Sequence, residues 1–209
     1  MDTATLKDLT ERAAALVRPG RRTILGICGA PGSGKTSLAV KVTRRATASG
    51  ILAAHVPMDG FHLSDAALGE RDLLGAKGAI ETFDVHGYLA LLRRLRVELD
   101  HDVMAPGFER DLEQPIAAAI TVPPATQLIV TEGNYLLDDT GAWPLVRTEL
   151  DEVWFVDLDD DRRRARLVDR HVTYGKERAA AQAWVDDVDE PNARRIIARR
   201  ETADLVIEA

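Results

Sequence analysis

Eight consecutive residues have the types and spacing that could grip a phosphate group. They are Gly29-Ala30-Pro31-Gly32-Ser33-Gly34-Lys35-Thr36, and they match the P-loop pattern G-x-x-x-x-G-K-[ST]. Glycines let backbone N–H groups surround a phosphate, and a helix that begins at the end of the loop directs its positive end there. Lys35 would reach the β- and γ-phosphates, and the Thr36 hydroxyl would bind Mg²⁺. The pattern, with Ser37 beside it, predicts a site for a nucleoside triphosphate and Mg²⁺.

A carboxylate follows the second apolar segment, at the point where a strand would end. Asp59-Gly60 comes directly after residues 51–58. The carboxyl ends of parallel strands meet at one edge of a sheet, so Asp59 would lie at the same edge as the P-loop. Its carboxylate could accept the proton of a substrate hydroxyl that attacks the γ-phosphate. The alternative is that the Asp-Gly pair only forms a turn, and spacing alone leaves both interpretations open.

Two further acids compete for a place beside Mg²⁺. Glu132 follows the apolar run 127–131, and Asp157 ends the run 153–157. A carboxylate at either position could hold Mg²⁺ through water or orient the phosphoryl group. Asp157 could instead cap a helix beyond its strand. The pattern of residues does not separate the two.

Apolar strand segments alternate with helical segments along the chain. The strand segments are 23–28, 51–58, 127–131, 153–157 and 205–207, and helical periodicity marks 3–17, 34–48 and 85–98. This alternation predicts an α/β fold with a mostly parallel sheet between two helical layers, as in P-loop NTPases, formed as a single domain over 1–209. Residues 60–84 have little apolar periodicity and four glycines, so we expect a functional insertion there, on the substrate side.

The composition excludes several classes of protein. The 27 Lys and Arg residues are outnumbered by 34 Asp and Glu residues, and the net charge of −7 predicts no general attraction to nucleic acid or to anionic membranes. The single cysteine, Cys28, excludes an internal disulfide and a cysteine-based zinc site. No apolar run approaches ~18 residues, and the polar start of the chain is unlike a signal peptide. We therefore expect a cytoplasmic protein without a membrane partner.

Residues 162–170 are rich in arginine. The five arginines are Arg162, Arg163, Arg164, Arg166 and Arg170. One interpretation is a helical lid, over about 159–178, that closes over a triphosphate and stabilises charge on the transferred group. The other is a solvated helix face whose arginines pair with nearby aspartates.

Aromatic and histidine side chains lie in or beside the same segments. They are Phe61, His62, Phe83, Tyr135 and His171. Such side chains could line a pocket for a small acceptor, although a lone aromatic residue more often belongs to the core. Trp154 and Cys28 are expected in the core, and His55 has no evident partner in the sequence.

Five segments, taken in order, resemble one group of P-loop kinases. The group contains uridine kinase, phosphoribulokinase and bacterial pantothenate kinase, and the likeness is greatest to a nucleoside/nucleotide kinase-like, or fructokinase-like, branch. The resemblance covers about residues 22–207. The segments that carry it are Met58-Asp59-Gly60-Phe61-His62, Lys77-Gly78-Ala79-Ile80-Glu81-Thr82-Phe83-Asp84, Ala105-Pro106-Gly107-Phe108, Thr131-Glu132-Gly133-Asn134-Tyr135-Leu136-Leu137 and Arg166-Leu167-Val168-Asp169-Arg170-His171.

The resemblance implies an ATP- and Mg²⁺-dependent transfer of phosphate to the hydroxyl of a small molecule, such as a nucleoside, a pantothenate-like compound or a sugar. It implies that Asp59 is the base and that Glu132, rather than Asp157, lies near Mg²⁺. It also implies that the lid places Arg163, Arg166 and Arg170 on the phosphates, and it allows a homodimer.

The chain departs from the family pattern in its substrate half. Related sequences often read R-K-G-x-P-E where this chain has Ala76-Lys77-Gly78-Ala79-Ile80-Glu81, and Asp is common where Glu109 stands. The alternative class of function is a nucleotide-hydrolysing switch or chaperone without an acceptor. Against it, the guanine-reading pattern Asn-Lys-x-Asp is absent from the sequence.

Overall fold

The apolar segments of the sequence form one parallel sheet. In a computed structural model, which describes residues 3–209, the strands are β1 (Thr23–Cys28), β2 (Ala53–His55), β3 (Val103–Glu109), β4 (Gln114–Val122), β5 (Leu128–Gly133), β6 (Glu152–Asp157) and β7 (Leu205–Glu208). Five of them pair in the spatial order β2-β5-β1-β6-β7, and every pairing in that sheet is parallel. All residues of β1 and β5 are buried, because helices cover both faces of the sheet.

Helices form a layer on each side of the sheet. They are α1 (Thr3–Leu16), α2 (Lys35–Ala48), α3 (Asp65–Gly69), α4 (Val85–Val97), α5 (Trp143–Thr148), α6 (Asp160–Thr173), α7 (Arg178–Trp184) and α8 (Glu190–Ile197). On one face, α1 and α2 pack against Leu25 and Val130. On the other face, α4 and α5 pack against Ile24 and Phe155. The three-layer α/β fold predicted from the sequence is therefore confirmed.

The register of the sheet aligns the ends of its two central strands. β1 and β5 pair from Thr23 opposite Leu128 to Cys28 opposite Gly133. The P-loop follows Cys28, and Glu132 is the next-to-last residue of β5, opposite Ile27. Side chains that are about a hundred residues apart in the sequence therefore meet at one edge of the sheet, which is the edge where ligands of such folds bind.

The second strand is shorter than expected. The apolar segment 51–58 forms a strand only over Ala53–His55, and Pro57, which has no backbone N–H to donate, precedes a 3₁₀ turn at Met58–Phe61. Asp59 lies on that turn. The stretch 60–84 contains α3 and two more 3₁₀ turns, and an antiparallel bridge between His62 and Phe83 ties its two ends together.

An antiparallel hairpin of β3 and β4 lies outside the central sheet, and the sequence did not predict it. Most residues of β4 are exposed, so the strand has no buried run to mark it. The hairpin packs against the turn that carries Asp59. A Cβ atom on Gly60 would lie 2.5 Å from the carbonyl oxygen of Pro106, so only glycine permits this approach. Among residues 3–209, no helix has both the length and the apolar character needed to span a membrane.

Candidate active site

The P-loop connects β1 to α2 and encloses a cavity. Gly34, which precedes the first residue of α2, has φ 99° and ψ 12°, a left-handed conformation that favours glycine. The first turn of α2, whose N–H groups have no acceptor within the helix, lines the cavity. The cavity has a volume of about 590 Å³, and Lys35, Thr36 and Ser37 line it. The geometry suits the phosphates of a nucleotide.

Glu132 lies directly beside the P-loop threonine. The Thr36 hydroxyl donates to Oε1 of Glu132 at 3.0 Å, and the glutamate is only 1% exposed. Its second oxygen, Oε2, is buried without a hydrogen-bond partner. Burial, assisted by the charge of Asp59, raises the pKa of Glu132 to about 7. Asp157 lies elsewhere, because it pairs with Arg200 at 3.0 Å. The structure thus brings Glu132, and not Asp157, to Thr36.

The oxygen atoms of Thr36 and Glu132 fit Mg²⁺. A buried carboxylate oxygen without a partner and a hydroxyl oxygen are the hard ligands that this cation takes. Residues 3–209 contain no group of three His, Cys, Asp or Glu side chains able to hold a metal. Mg²⁺ at nucleotide sites usually needs only one or two protein ligands, since water and phosphate oxygens complete its shell.

Glu132→Gln is expected to raise the Tm of the ligand-free protein by roughly 5 °C at about pH 8, and by much less near pH 5. The pKa of Glu132 lies near 7 in the folded protein against an ordinary value of 4.5, so ionisation is harder in the folded state. The wild type therefore loses stability as the pH rises from about 4.5 through about 7, whereas a neutral glutamine does not. Thermal unfolding in EDTA at the two pH values measures the difference.

Asp157→Asn is the matched control for this experiment. It removes a carboxylate that is paired with Arg200 and partly exposed, so it should not raise the Tm at about pH 8. An equal rise in both variants would contradict the assignment of the effect to buried Glu132.

Asp59 faces the P-loop across a second cavity. This cavity has a volume of about 330 Å³, and Lys35, Thr36 and Asp59 all line it. An Asp59 oxygen lies 3.5 Å from the guanidinium of Arg110, which follows β3 at the tip of the hairpin. The cavity is large enough for a small metabolite between the lysine and the aspartate. The predicted convergence of the two motifs is therefore present in the fold.

Histidine and aromatic side chains form part of the wall of this cavity. His62, Phe108 and His171 line it. The His62 ring lies between Phe83, with ring centroids 4.0 Å apart, and Phe108, at 4.8 Å. Burial lowers the pKa of His62, so the ring is neutral near pH 7. The Nε2 atom of His171 lies 2.9 Å from Asp189, which fixes the orientation of that ring.

Three aromatic residues expected at the acceptor pocket lie behind its wall instead. Phe83 and Tyr135 are buried, and Phe61 packs on Tyr88 with ring centroids 5.3 Å apart. The Tyr135 hydroxyl donates to the carbonyl oxygen of Gly78 at 2.7 Å, so its polar atom is already bonded within the protein. These rings support the wall through the core.

The arginines of α6 divide into two sets. Arg163 is 1% exposed and bonds to Glu190 at 2.5 Å and to Asp160 at 3.0 Å, so it ties α6 to α8 instead of facing the cavity. Arg166 and Arg170 line the P-loop cavity, and neither has an ion-pair partner within residues 3–209. These two arginines are free to bind phosphate oxygens.

The sequence analysis missed several residues of the site, among them His55, Arg110 and Lys176. His55 ends β2, and its Nε2 lies 3.9 Å from Oε1 of Glu132; burial lowers the pKa of this histidine to about 4. Arg110 belongs to the hairpin that was not predicted. Only its place after the segment Ala105-Pro106-Gly107-Phe108 could have drawn attention to it.

The fold and the site together define a P-loop NTPase with a second cavity opposite its phosphate loop. Comparison with known proteins narrows this class. The chain is 30% identical to "Putative uridine kinase C227.14" of Schizosaccharomyces pombe over 181 residues, 83% of this chain and 77% of that protein. It is 36% identical to "ATP-dependent kinase-like protein notR'" of Aspergillus versicolor over 152 residues, 68% of this chain and 88% of that protein.

A solved structure shares both fold and sequence with the chain. It is a "putative fructose transport system kinase" from Silicibacter sp. TM1040, with a TM-score of 0.88, 36% identity, and coverage of 97% of this chain and 98% of that one. No family model matches the chain. The chain belongs to the family of P-loop kinases that these uridine kinase-like and ATP-dependent kinase-like proteins represent. The resemblance noted in the sequence is thereby confirmed.

Proposed function

We propose that the protein transfers the γ-phosphate of ATP to a hydroxyl group of a small molecule. The observation that supports this most is the cavity of about 330 Å³ that Lys35 and Asp59 line together. Its volume suits a metabolite rather than a single water molecule. A simple hydrolase would need no such space between its phosphate loop and a carboxylate.

Asp59 is proposed as the base of this reaction. The acceptor oxygen attacks the γ-phosphorus of ATP while its proton passes to a carboxylate oxygen of Asp59. The bond from the γ-phosphorus to the oxygen bridging to the β-phosphate breaks, and ADP leaves with that electron pair. Phosphoryl transfer needs little covalent help, so holding the two reactants in line provides most of the acceleration.

Cationic groups stabilise the charge that moves during the transfer. Lys35, Arg166 and Arg170 are proposed to bind the phosphate oxygens from the loop and from α6. Mg²⁺ bound beside Thr36 and Glu132 would neutralise phosphate charge when present. The helices around residues 159–178 are proposed to close over the ATP and exclude water.

A panel of small alcohols tests the proposal. With ATP and Mg²⁺, we expect ADP release that depends on an acceptor, together with a mass gain of one phosphoryl group on that acceptor. Nucleosides, pantothenate and sugars form the panel. If ADP is released at the same rate with every acceptor and without any acceptor, and no phosphorylated product forms, the protein is a hydrolase and the kinase proposal is wrong.

A further inference from the structure

A small side cavity adjoins the proposed acceptor cavity. It has a volume of about 160 Å³, and neither Lys35 nor Asp59 lines it. Six of its seven lining residues also line the acceptor cavity, so the two cavities lie side by side. The side cavity thus extends the acceptor cavity away from the atoms that would react.

Positive charge dominates the side cavity, although the protein as a whole carries a net charge of −7. Its charged lining consists of Arg110, Arg170 and Lys176 on the positive side and Glu113 on the negative side. Glu113 is exposed at the tip of the hairpin. Arg170 and Lys176 have no carboxylate partner within residues 3–209, and Arg110 reaches Asp59 only at 3.5 Å.

The other acids of the acceptor cavity are already paired within the protein. Asp65 accepts from Lys77 at 2.6 Å, and Asp189 lies 2.9 Å from His171. They do not neutralise the cations of the side cavity. Three cations, two of them without a carboxylate partner among the described residues, outnumber the single acid around this small cavity and favour an anionic ligand, and charge-assisted hydrogen bonds make such binding strong.

Lys176 distinguishes the positive charge of the side cavity from the positive charge that lines the P-loop cavity. Arg110 and Arg170 line the P-loop cavity as well, but Lys176 lines only the acceptor cavity and the side cavity. Its ammonium nitrogen lies 4.6 Å from the centre of the Trp184 ring, a cation–π contact that holds it at the cavity. A lysine ammonium group has three N–H donors, and the contact with the ring face does not use all of them. Donors therefore remain for a ligand.

We propose that the phosphate acceptor carries a compact anionic group, either a carboxylate or a phosphate monoester, and that Lys176 binds this group together with Arg170 and Arg110. The proposal rests on the proposed kinase function. The anionic end of the acceptor occupies the side cavity and its hydroxyl reaches towards Asp59. Lys176 is therefore a specificity-determining residue for an anionic alcohol, and neutral alcohols of the same skeleton are poor acceptors.

Matched series of alcohols test this proposal. The first is glycerol, glycerate and glycerol 3-phosphate, the second is glucitol, gluconate and glucitol 6-phosphate, and the third is uridine and uridine 5′-phosphate. Phosphorylation with ATP and Mg²⁺ is followed by ADP release and product mass. Binding is followed by calorimetry with the P-loop saturated by Mg²⁺ and a non-hydrolysable ATP analogue. In at least one series we expect kcat/KM to be about tenfold or more higher for an anionic member.

Lys176→Gln is expected to reduce this preference by about tenfold through the KM of the acceptor, with the KM of ATP unchanged. Arg178→Gln is the matched control, because it removes the same charge from the neighbouring helix. Arg178 is exposed, pairs with Asp169 at 3.1 Å and lines none of the three cavities. It should leave both constants unchanged.

The outcomes separate the proposal from the function on which it rests. Preference for a carboxylate or for a phosphate monoester supports the proposal and identifies the group. If only the neutral alcohols are phosphorylated, the proposal is wrong and the kinase function is retained. The same conclusion follows if Lys176→Gln leaves the preference for the anionic alcohol unchanged. If no member of any series is bound or phosphorylated, the proposed function fails and the proposal fails with it.

Discussion

Asp59→Asn is expected to lower kcat by a factor of about 10²–10⁴ while the KM of ATP changes little. Asparagine keeps the size of the side chain but accepts a proton far less readily than a carboxylate. The residue lies on the 3₁₀ turn after β2 and lines the acceptor cavity without lining the P-loop cavity. The substitution should therefore affect the chemical step and leave ATP binding intact. Single-turnover measurements with a good acceptor, alongside ATP titrations, check both expectations.

Loss of the ion pair with Arg110 is a second effect of the same substitution. Arg110→Gln removes that ion pair but keeps the Asp59 carboxylate. At a saturating concentration of acceptor, the difference in kcat between the two variants therefore reports the contribution of proton transfer to Asp59. We expect kcat in Arg110→Gln to stay well above kcat in Asp59→Asn. Similar kcat values in the two variants would mean that Asp59 acts by orienting Arg110, and the role of base would be withdrawn.

The parts of the site that were predictable are those set by local sequence. The P-loop needs glycines, a lysine and a threonine in one short stretch, and the buried strand before it is a continuous apolar run. Glu132 was predictable in position because its strand is equally apolar. The pattern of residues alone did not choose between Glu132 and Asp157, because β5 and β6 both flank β1. Their registers differ: Glu132 lies opposite Ile27, whereas Phe155 lies opposite Cys28 and Asp157 extends beyond the end of β1. Register is a property of the whole sheet, and only the family resemblance pointed to Glu132.

The parts that were not predictable depend on contacts distant in sequence. Arg163 and Arg166 are close neighbours on one helix, yet the first is buried against Glu190 and the second lines the P-loop cavity. An arginine-rich helix does not reveal which of its faces meets the cavity. Tyr135 follows the family motif but turns into the core, where its hydroxyl bonds to Gly78. Helix rotation and side-chain direction follow from packing, which short motifs do not record.

Lys35→Met is expected to lower kcat by a factor of about 10³ and to weaken ATP binding as well. Lys35 lines both the P-loop cavity and the acceptor cavity, so in the proposed mechanism its ammonium would contact the transferred phosphoryl group throughout the reaction. Methionine preserves most of the length of the side chain and removes only the charge and the donors. Arg44→Met is the control, because Arg44 is an exposed cation on the same helix. It should leave kcat and the KM of ATP unchanged.

A second consequence of Lys35→Met distinguishes a phosphate contact from a general loss of folding. The positive charge of Lys35 lowers the pKa of Glu132 and opposes the larger effect of burial. Without that charge the carboxylate is harder to ionise, and a protonated carboxyl is a poor ligand for Mg²⁺. We therefore expect residual activity in Lys35→Met to need more Mg²⁺ than the wild type and to recover in part as the pH rises above about 7. If Mg²⁺ binds the ionised Glu132 as proposed, the residual activity must depend on Mg²⁺ concentration and on pH. A residual activity that depends on neither would place the glutamate outside the metal site.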